Sequence, residues 1–285
     1  MLAAKGIFAK HLYSLGVDYE TLAATRSVLA IPGFVIIAYL SGSLRGGLQL
    51  RPSHAASAIG AGLLCYYLGS LANFYALTLI DASVERALLF TYPAMITLIT
   101  VSLGLAPVRA STLVALVTTF SGIALVVGVS SDKILEANLE GTLWIFACAF
   151  TIAIYFLVSA RLSQVMGSAM FTLLAMAAAG GAFAAHYSLR HGWLQLSLSG
   201  EAWFWMLALV LVATVIPLSL VAEGVRRIGS QRAAFASTIG PPATAIMAMI
   251  LLDERLSMTQ LLGIFVIVGS ILYLELTDRS RLNAS

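Results

Sequence analysis

Apolar residues fall in long runs of roughly 20, the length a helix needs to cross a hydrocarbon core, separated by short polar breaks. The runs cover about 1–15, 22–42, 55–79, 83–106, 110–130, 140–160, 168–189, 202–226, 231–252 and 258–276. They do not alternate apolar with polar residues, which argues against the strands of a membrane barrel. The pattern predicts an all-α integral membrane protein of ten transmembrane helices. The first run, interrupted by Lys5 and Lys10, is too short and too charged to span alone. It predicts a truncated first helix and a start placed too far downstream.

A repeat accompanies this periodicity. Ile80-Asp81-Ala82-Ser83-Val84-Glu85-Arg86-Ala87-Leu88-Leu89-Phe90-Thr91-Tyr92-Pro93 is echoed 148 residues later, from Ile228 to Pro241, and each copy leads into an apolar run. The most polar internal segment, 130–140, predicts the boundary between a first unit at 1–130 and a second at 138–277. Five helices per unit, an odd number, require the second unit to enter the membrane in the opposite orientation. Inverted repeats of this kind are the architecture of many secondary transporters.

Composition narrows the class further. The chain is 60% hydrophobic and 10% charged, with a mean hydropathy of +0.96, whereas soluble domains carry about a quarter charged residues. A net charge of +3 gives no reason to expect a nucleic-acid partner. With a cytoplasmic N-terminus, Arg45, Arg51, Arg109, Arg161, Arg226, Arg227, Arg232, Arg279 and Arg281 fall inside, against Lys10, Arg26, Arg86, Lys133, Arg190 and Arg255 outside. That is a modest positive-inside bias. Cys65 and Cys148 lie in separate apolar runs without paired spacing and read as free, buried thiols. The four histidines show no metal spacing, and no phosphate loop or nucleophile elbow is present. The reading is therefore no catalytic residue, no metal and no cofactor.

Charges inside a bilayer are costly and tend to face a cavity or a partner. Lys5 is the first such candidate, balanced against a lysine that snorkels to the interface. Glu85 opens the fourth run, where the helix dipole favours an acid, but Arg86 beside it opposes that dipole. Arg86 therefore calls for Glu85, Asp81 or an anionic substrate group, and Arg26 poses the same question. Two cations on one cavity rim would favour a carboxylate or phosphate. Glu223 stands three and four residues before Arg226 and Arg227, the spacing of helical ion pairs, and is also the first group to test for proton coupling. Tyr66 and Asn73 are seven apart and share a helix face. With Tyr92 and Tyr155 they can stack on and hydrogen-bond an amphipathic metabolite. Lys5, Tyr66, Asn73, Glu85, Arg86, Tyr92, Tyr155 and Glu223 form the candidate binding or gating set. Trp144, Trp193, Trp203 and Trp205 read as interface anchors.

Several of these segments together resemble the EamA-type members of the drug/metabolite transporter superfamily. They are Ala4 to Lys10, Gly16-Val17-Asp18 with Thr21-Leu22, Arg26 and Pro32, Glu85 to Pro93, Ala222 to Gly229, Gly240-Pro241, and Asp253-Glu254-Arg255-Leu256 with Gln260 to Gly263. The resemblance covers nearly the whole chain. It implies a ten-helix, inverted-repeat carrier in the bacterial inner membrane that exports small metabolites, including amino acids, through a cavity between the repeats. The chain departs from the pattern at Leu105-Ala106-Pro107, where the second half has Asp253-Glu254-Arg255. The expected partners are a small-molecule substrate and the lipid bilayer. The rival expectation is a membrane-embedded enzyme acting on a lipid-linked substrate.

Overall fold

A computed structural model describes residues 4–43, 51–105, 110–127, 132–191, 197–229, 233, 240–254 and 256–282. These are helical or lie in short connections, with no strand among them. Numbered along the chain, the helices are α1 (Lys5–Ser14), α2 (Tyr19–Leu40), α3 (Pro52–Leu79), α4 (Ala82–Ser102), α5 (Ala110–Val127), α6 (Asp132–Met166), α7 (Ser168–Arg190), α8 (Gly200–Ile228), α9 (Gly240–Leu251) and α10 (Met258–Leu282). Six of them, α2, α3, α4, α6, α7 and α8, are long and apolar enough to cross a membrane. The second copy of the repeated motif lies outside the described residues except at its first two residues, Ala233, Gly240 and Pro241. Arg45, Arg109, Arg232, Arg255 and Trp193 lie outside them as well.

From Asp132 onward the polar segment is helical and continuous with the apolar part of α6.

Departures from regular helix fall at repeated positions. Helix α4 breaks at Phe90-Thr91 into Ala82–Leu89 and Tyr92–Ser102, with Pro93 in the first turn of the second piece. There its missing N–H costs nothing. In α3 a π-helical segment runs Leu63–Gly69, and in α8 another runs Leu211–Val215, just before Pro217. Pro217 cannot donate to the carbonyl four residues earlier, so the wider turn sits where the normal ladder fails. Leu63 and Leu211, where the two π segments begin, are 148 residues apart.

Small residues set the close approaches. A Cβ at Gly62 of α3 would lie 2.2 Å from the Ala175 carbonyl oxygen of α7. Gly122 of α5 and Gly263 of α10 face each other's backbone in the same way, with a Cβ at Gly263 only 2.7 Å from the Gly122 oxygen. At Gly6 a Cβ would meet the Ala82 Cβ at 3.1 Å, so α1 lies close against the start of α4. Packing of backbone on backbone replaces the hydrophobic effect as the force between helices in lipid. Leu40, Phe120, Phe204, Leu220 and Phe265 face outward, as expected of a lipid-facing surface.

Candidate functional site

Helices α1, α2, α3, α4, α6 and α8 enclose a cavity of about 120 Å³. Its polar lining comes from Lys5, Arg26, Ser70, Asn73 and Arg86, and its aromatic lining from Tyr66, Phe74, Tyr92, Tyr155 and Phe156. Both cysteines, free and buried, also face it. Of the eight residues singled out by sequence, seven meet here: six line the cavity, and Glu85 is bonded to two of them.

Lys5, Asn73 and Glu85 form one hydrogen-bonded unit around the buried Glu85 carboxylate. Lys5 Nζ donates to Asn73 Oδ1 at 2.5 Å and to Glu85 Oε1 at 3.3 Å, and Asn73 Nδ2 donates to the same Glu85 oxygen at 2.5 Å. Glu85 is 1% exposed. Its charge is carried by a lysine and an amide, which is how a buried carboxylate remains tolerable. The geometry follows from three local features. Glu85 sits in the first turn of α4, Asn73 lies one helical turn beyond the π segment of α3, and Gly6 lets α1 approach.

The two arginines lack that compensation. Arg26 is 4% exposed and donates only to hydroxyls: Ser70 Oγ at 3.0 Å, Ser27 Oγ at 3.3 Å and Thr214 Oγ1 at 3.5 Å. Its guanidinium lies 5.0 Å from the Phe74 ring centroid, a favourable cation–π position. Arg86 is 8% exposed, and neither it nor Arg26 has a carboxylate partner among the described residues. The Nε atoms of both arginines are buried without a hydrogen-bond partner among the described residues. A Cβ at residue 240 would stand 2.8 Å from an Arg86 terminal nitrogen, so glycine there makes room for the guanidinium. Opposite the cations, the rings of Tyr66 and Tyr155 lie 4.8 Å apart and those of Tyr92 and Phe156 5.1 Å apart.

Glu223 is elsewhere. It lies in a second pocket with Ser41, Ser43, Ser168, Arg226 and Arg227. Its carboxylate accepts from Arg226 Nη2 at 2.5 Å, Arg226 Nε at 2.8 Å, Arg227 Nε at 2.5 Å and Ser168 Oγ at 2.5 Å. The helical ion pair is the arrangement observed. On the same helix as Asn73, Tyr75 does not line the cavity and donates its hydroxyl to Glu140 Oε1 at 3.0 Å.

Sequence reasoning did not single out Phe74, Ser70 or Phe156. An isolated aromatic or serine in an apolar run carries no signal of its own. Glu254 was passed over too, although it closes one end of α4. Ala82 N donates to its Oε1 at 2.7 Å, and Ser83 N and Oγ donate to its Oε2 at 3.2 Å and 2.5 Å. No group of histidine, cysteine or acidic residues able to hold a metal occurs among the described residues.

A helical bundle with membrane-length apolar helices around a small, charged, aromatic-lined cavity is the architecture expected of a membrane transporter. The chain belongs to the EamA-like transporter family, whose sequence pattern matches residues 1–128 and 139–276. It is 30% identical over 283 residues to the uncharacterized transporter YcbK of Bacillus subtilis (strain 168), covering 94% of this chain and 88% of the relative. It is 25% identical over 173 residues to the uncharacterized inner membrane transporter YicL of Salmonella typhimurium (strain LT2), covering 61% and 57% respectively. A solved structure titled only "Crystal structure of protein" superposes with a TM-score of 0.65 at 18% identity, over 98% of each chain; it shows the shared fold. Family and relatives are transporters, not enzymes, which sets the enzyme reading aside.

Proposed function

We propose that this chain is a secondary carrier of the bacterial inner membrane, exporting a small metabolite such as an amino acid by alternating access. In this reading ten transmembrane helices form two inverted five-helix repeats, residues 1–130 and 138–277, and the cavity between them holds the substrate. The observation that carries the proposal is the cavity itself: Lys5, Arg26, Tyr66, Asn73, Arg86 and Tyr92 reach it from the first unit, and Tyr155, Phe156, Leu218 and Val221 from the second. Support for the repeats comes from the shared offset of the two π segments. The family pattern also matches two separate segments.

Rocking of one repeat against the other around a fixed midplane site is the mechanism such folds use. The break in α4 and the π segments of α3 and α8 border the cavity, where a helix bends at least cost. Lys5, Tyr66, Asn73, Glu85, Arg86, Tyr92 and Tyr155 are assigned to binding or gating, and Glu223 to bracing the opposite end of α8. The test is counterflow in proteoliposomes with a panel of labelled amino acids and other metabolites. Accumulation of one label, driven by unlabelled compound inside, supports the proposal. Silence across the panel from folded protein contradicts it.

A further inference from the structure

The cavity carries more positive charge than its own groups neutralise. Lys5, Arg26 and Arg86 face it, and Glu85, the one carboxylate bonded to any of them among the described residues, is already engaged by Lys5 and Asn73. Arg26 and Arg86 are each more than nine-tenths buried, and each has an Nε–H without an acceptor among the described residues. A guanidinium in a water-poor site is costly without an anion, and its planar fork suits the paired oxygens of a carboxylate or phosphate. An ammonium group finds the opposite situation, because among the described residues the cavity offers it no free carboxylate.

We infer that the cavity takes an organic oxyanion of net negative charge, its acid group held by Arg26 and Arg86 and its body resting on the rings of Tyr66, Tyr92 and Phe156. The inference rests on the carrier reading above and narrows its substrate class. An amino acid presenting both a carboxylate and an ammonium is a poorer occupant than the same skeleton without its amine. Substrate binding supplies the missing anion at the moment the site closes, so empty and loaded cavities differ in charge balance. Such a difference lets a substrate shift the balance between two conformations, because it interacts with them unequally.

The test is counterflow with compounds matched in shape and differing in charge: pyruvate against alanine, phenylpyruvate against phenylalanine, with phenyl phosphate and phenethylamine as further arms. The expected result is counterflow of at least one oxo acid at least about tenfold more efficiently than of its amino acid, with phenethylamine excluded. The phenyl phosphate arm separates carboxylate from phosphate as the acid group. Arg26→Gln and Arg86→Gln should each raise KM for the anion by on the order of tenfold or more, the worth of a charge-assisted hydrogen bond. Their thermal unfolding midpoints should not fall, because an uncompensated buried cation is removed. Arg86→Lys should restore part of the transport, a pattern that a merely structural arginine would not give.

Equal or better counterflow of alanine or phenylalanine than of the oxo acids overturns the inference while leaving the carrier intact. Lower unfolding midpoints for both Gln variants, with unchanged KM, overturn it too. No counterflow of any of these compounds overturns the oxyanion assignment, and the carrier reading falls with it only if the wider metabolite panel is silent.

Discussion

Glu254 caps the helix that Asp81 precedes. Asp81 occupies the N-cap position of α4, yet its side chain makes no capping hydrogen bond. The free N–H groups of Ala82 and Ser83, with the Ser83 hydroxyl, bind the Glu254 carboxylate instead. Asp253 makes this possible by adopting a left-handed conformation at φ 54°, one that aspartate tolerates better than most side chains. The chain thus turns after α9 and returns Glu254 to the start of α4, tying the two halves together at that end. Loss of an N-cap costs about 0.5–2 kcal/mol. Glu254→Ala should therefore lower the unfolding midpoint in detergent, whereas an unchanged midpoint would show the cap to be without weight.

Asp81 is disadvantaged by the same arrangement. Partial burial, and then the neighbouring Glu254 charge, hold its carboxyl above the ordinary carboxylate range, with Lys10 partly offsetting both. The folded protein disfavours the ionised form, so the cost is present above the raised folded pKa and disappears as pH falls below the unfolded value. Asp81→Asn should accordingly stabilise the protein at neutral pH, and the gain should vanish in acid. A gain that grows on acidification would contradict this assignment.

Lys5 and Glu85 should behave as a pair. Removing either alone leaves a buried charge uncompensated, which costs about 3–5 kcal/mol. Lys5→Met and Glu85→Gln should each destabilise strongly, and the double variant by much less than the sum of the two. A double-mutant cycle of unfolding midpoints checks it, and strict additivity would mean the bond contributes nothing.

Glu223 accepts from two arginines and a serine, which fits a structural brace and not a proton carrier. Glu223→Gln should reduce stability and leave the shape of any pH profile of transport unchanged. Loss of the pH dependence in this variant would instead restore the proton-coupling role.

Much of this was legible in the chain because the membrane simplifies the code. Apolar runs mark helices long enough to span, and a charge inside a run stands out: Lys5, Glu85, Arg86 and Arg26 were all visible that way. Their pairing was not, since Lys5 and Asn73 are separated by 68 residues and meet only when α1 packs on α3. The break ahead of Pro93 and the π segment ahead of Pro217 have a proline to announce them. The π segment at Leu63–Gly69 contains none and left no mark in the sequence. Polarity at 130–140 suggested a boundary between units, and composition alone did not reveal that the chain is already helical from Asp132. The capping role of Glu254 needs the turn at Asp253, which spacing does not reveal.

A substrate held in the cavity would shield the reporters that the protein itself carries there. Its two cysteines, Cys65 and Cys148, both line that space and are 5% and 4% exposed. In proteoliposomes, modification by a small anionic methanethiosulfonate should be slow and should slow further with a solute that supports counterflow, with Cys65→Ser and Cys148→Ser assigning the signal. Labelling rates that ignore such a solute, or thiols that stay unreactive throughout turnover, would contradict the account.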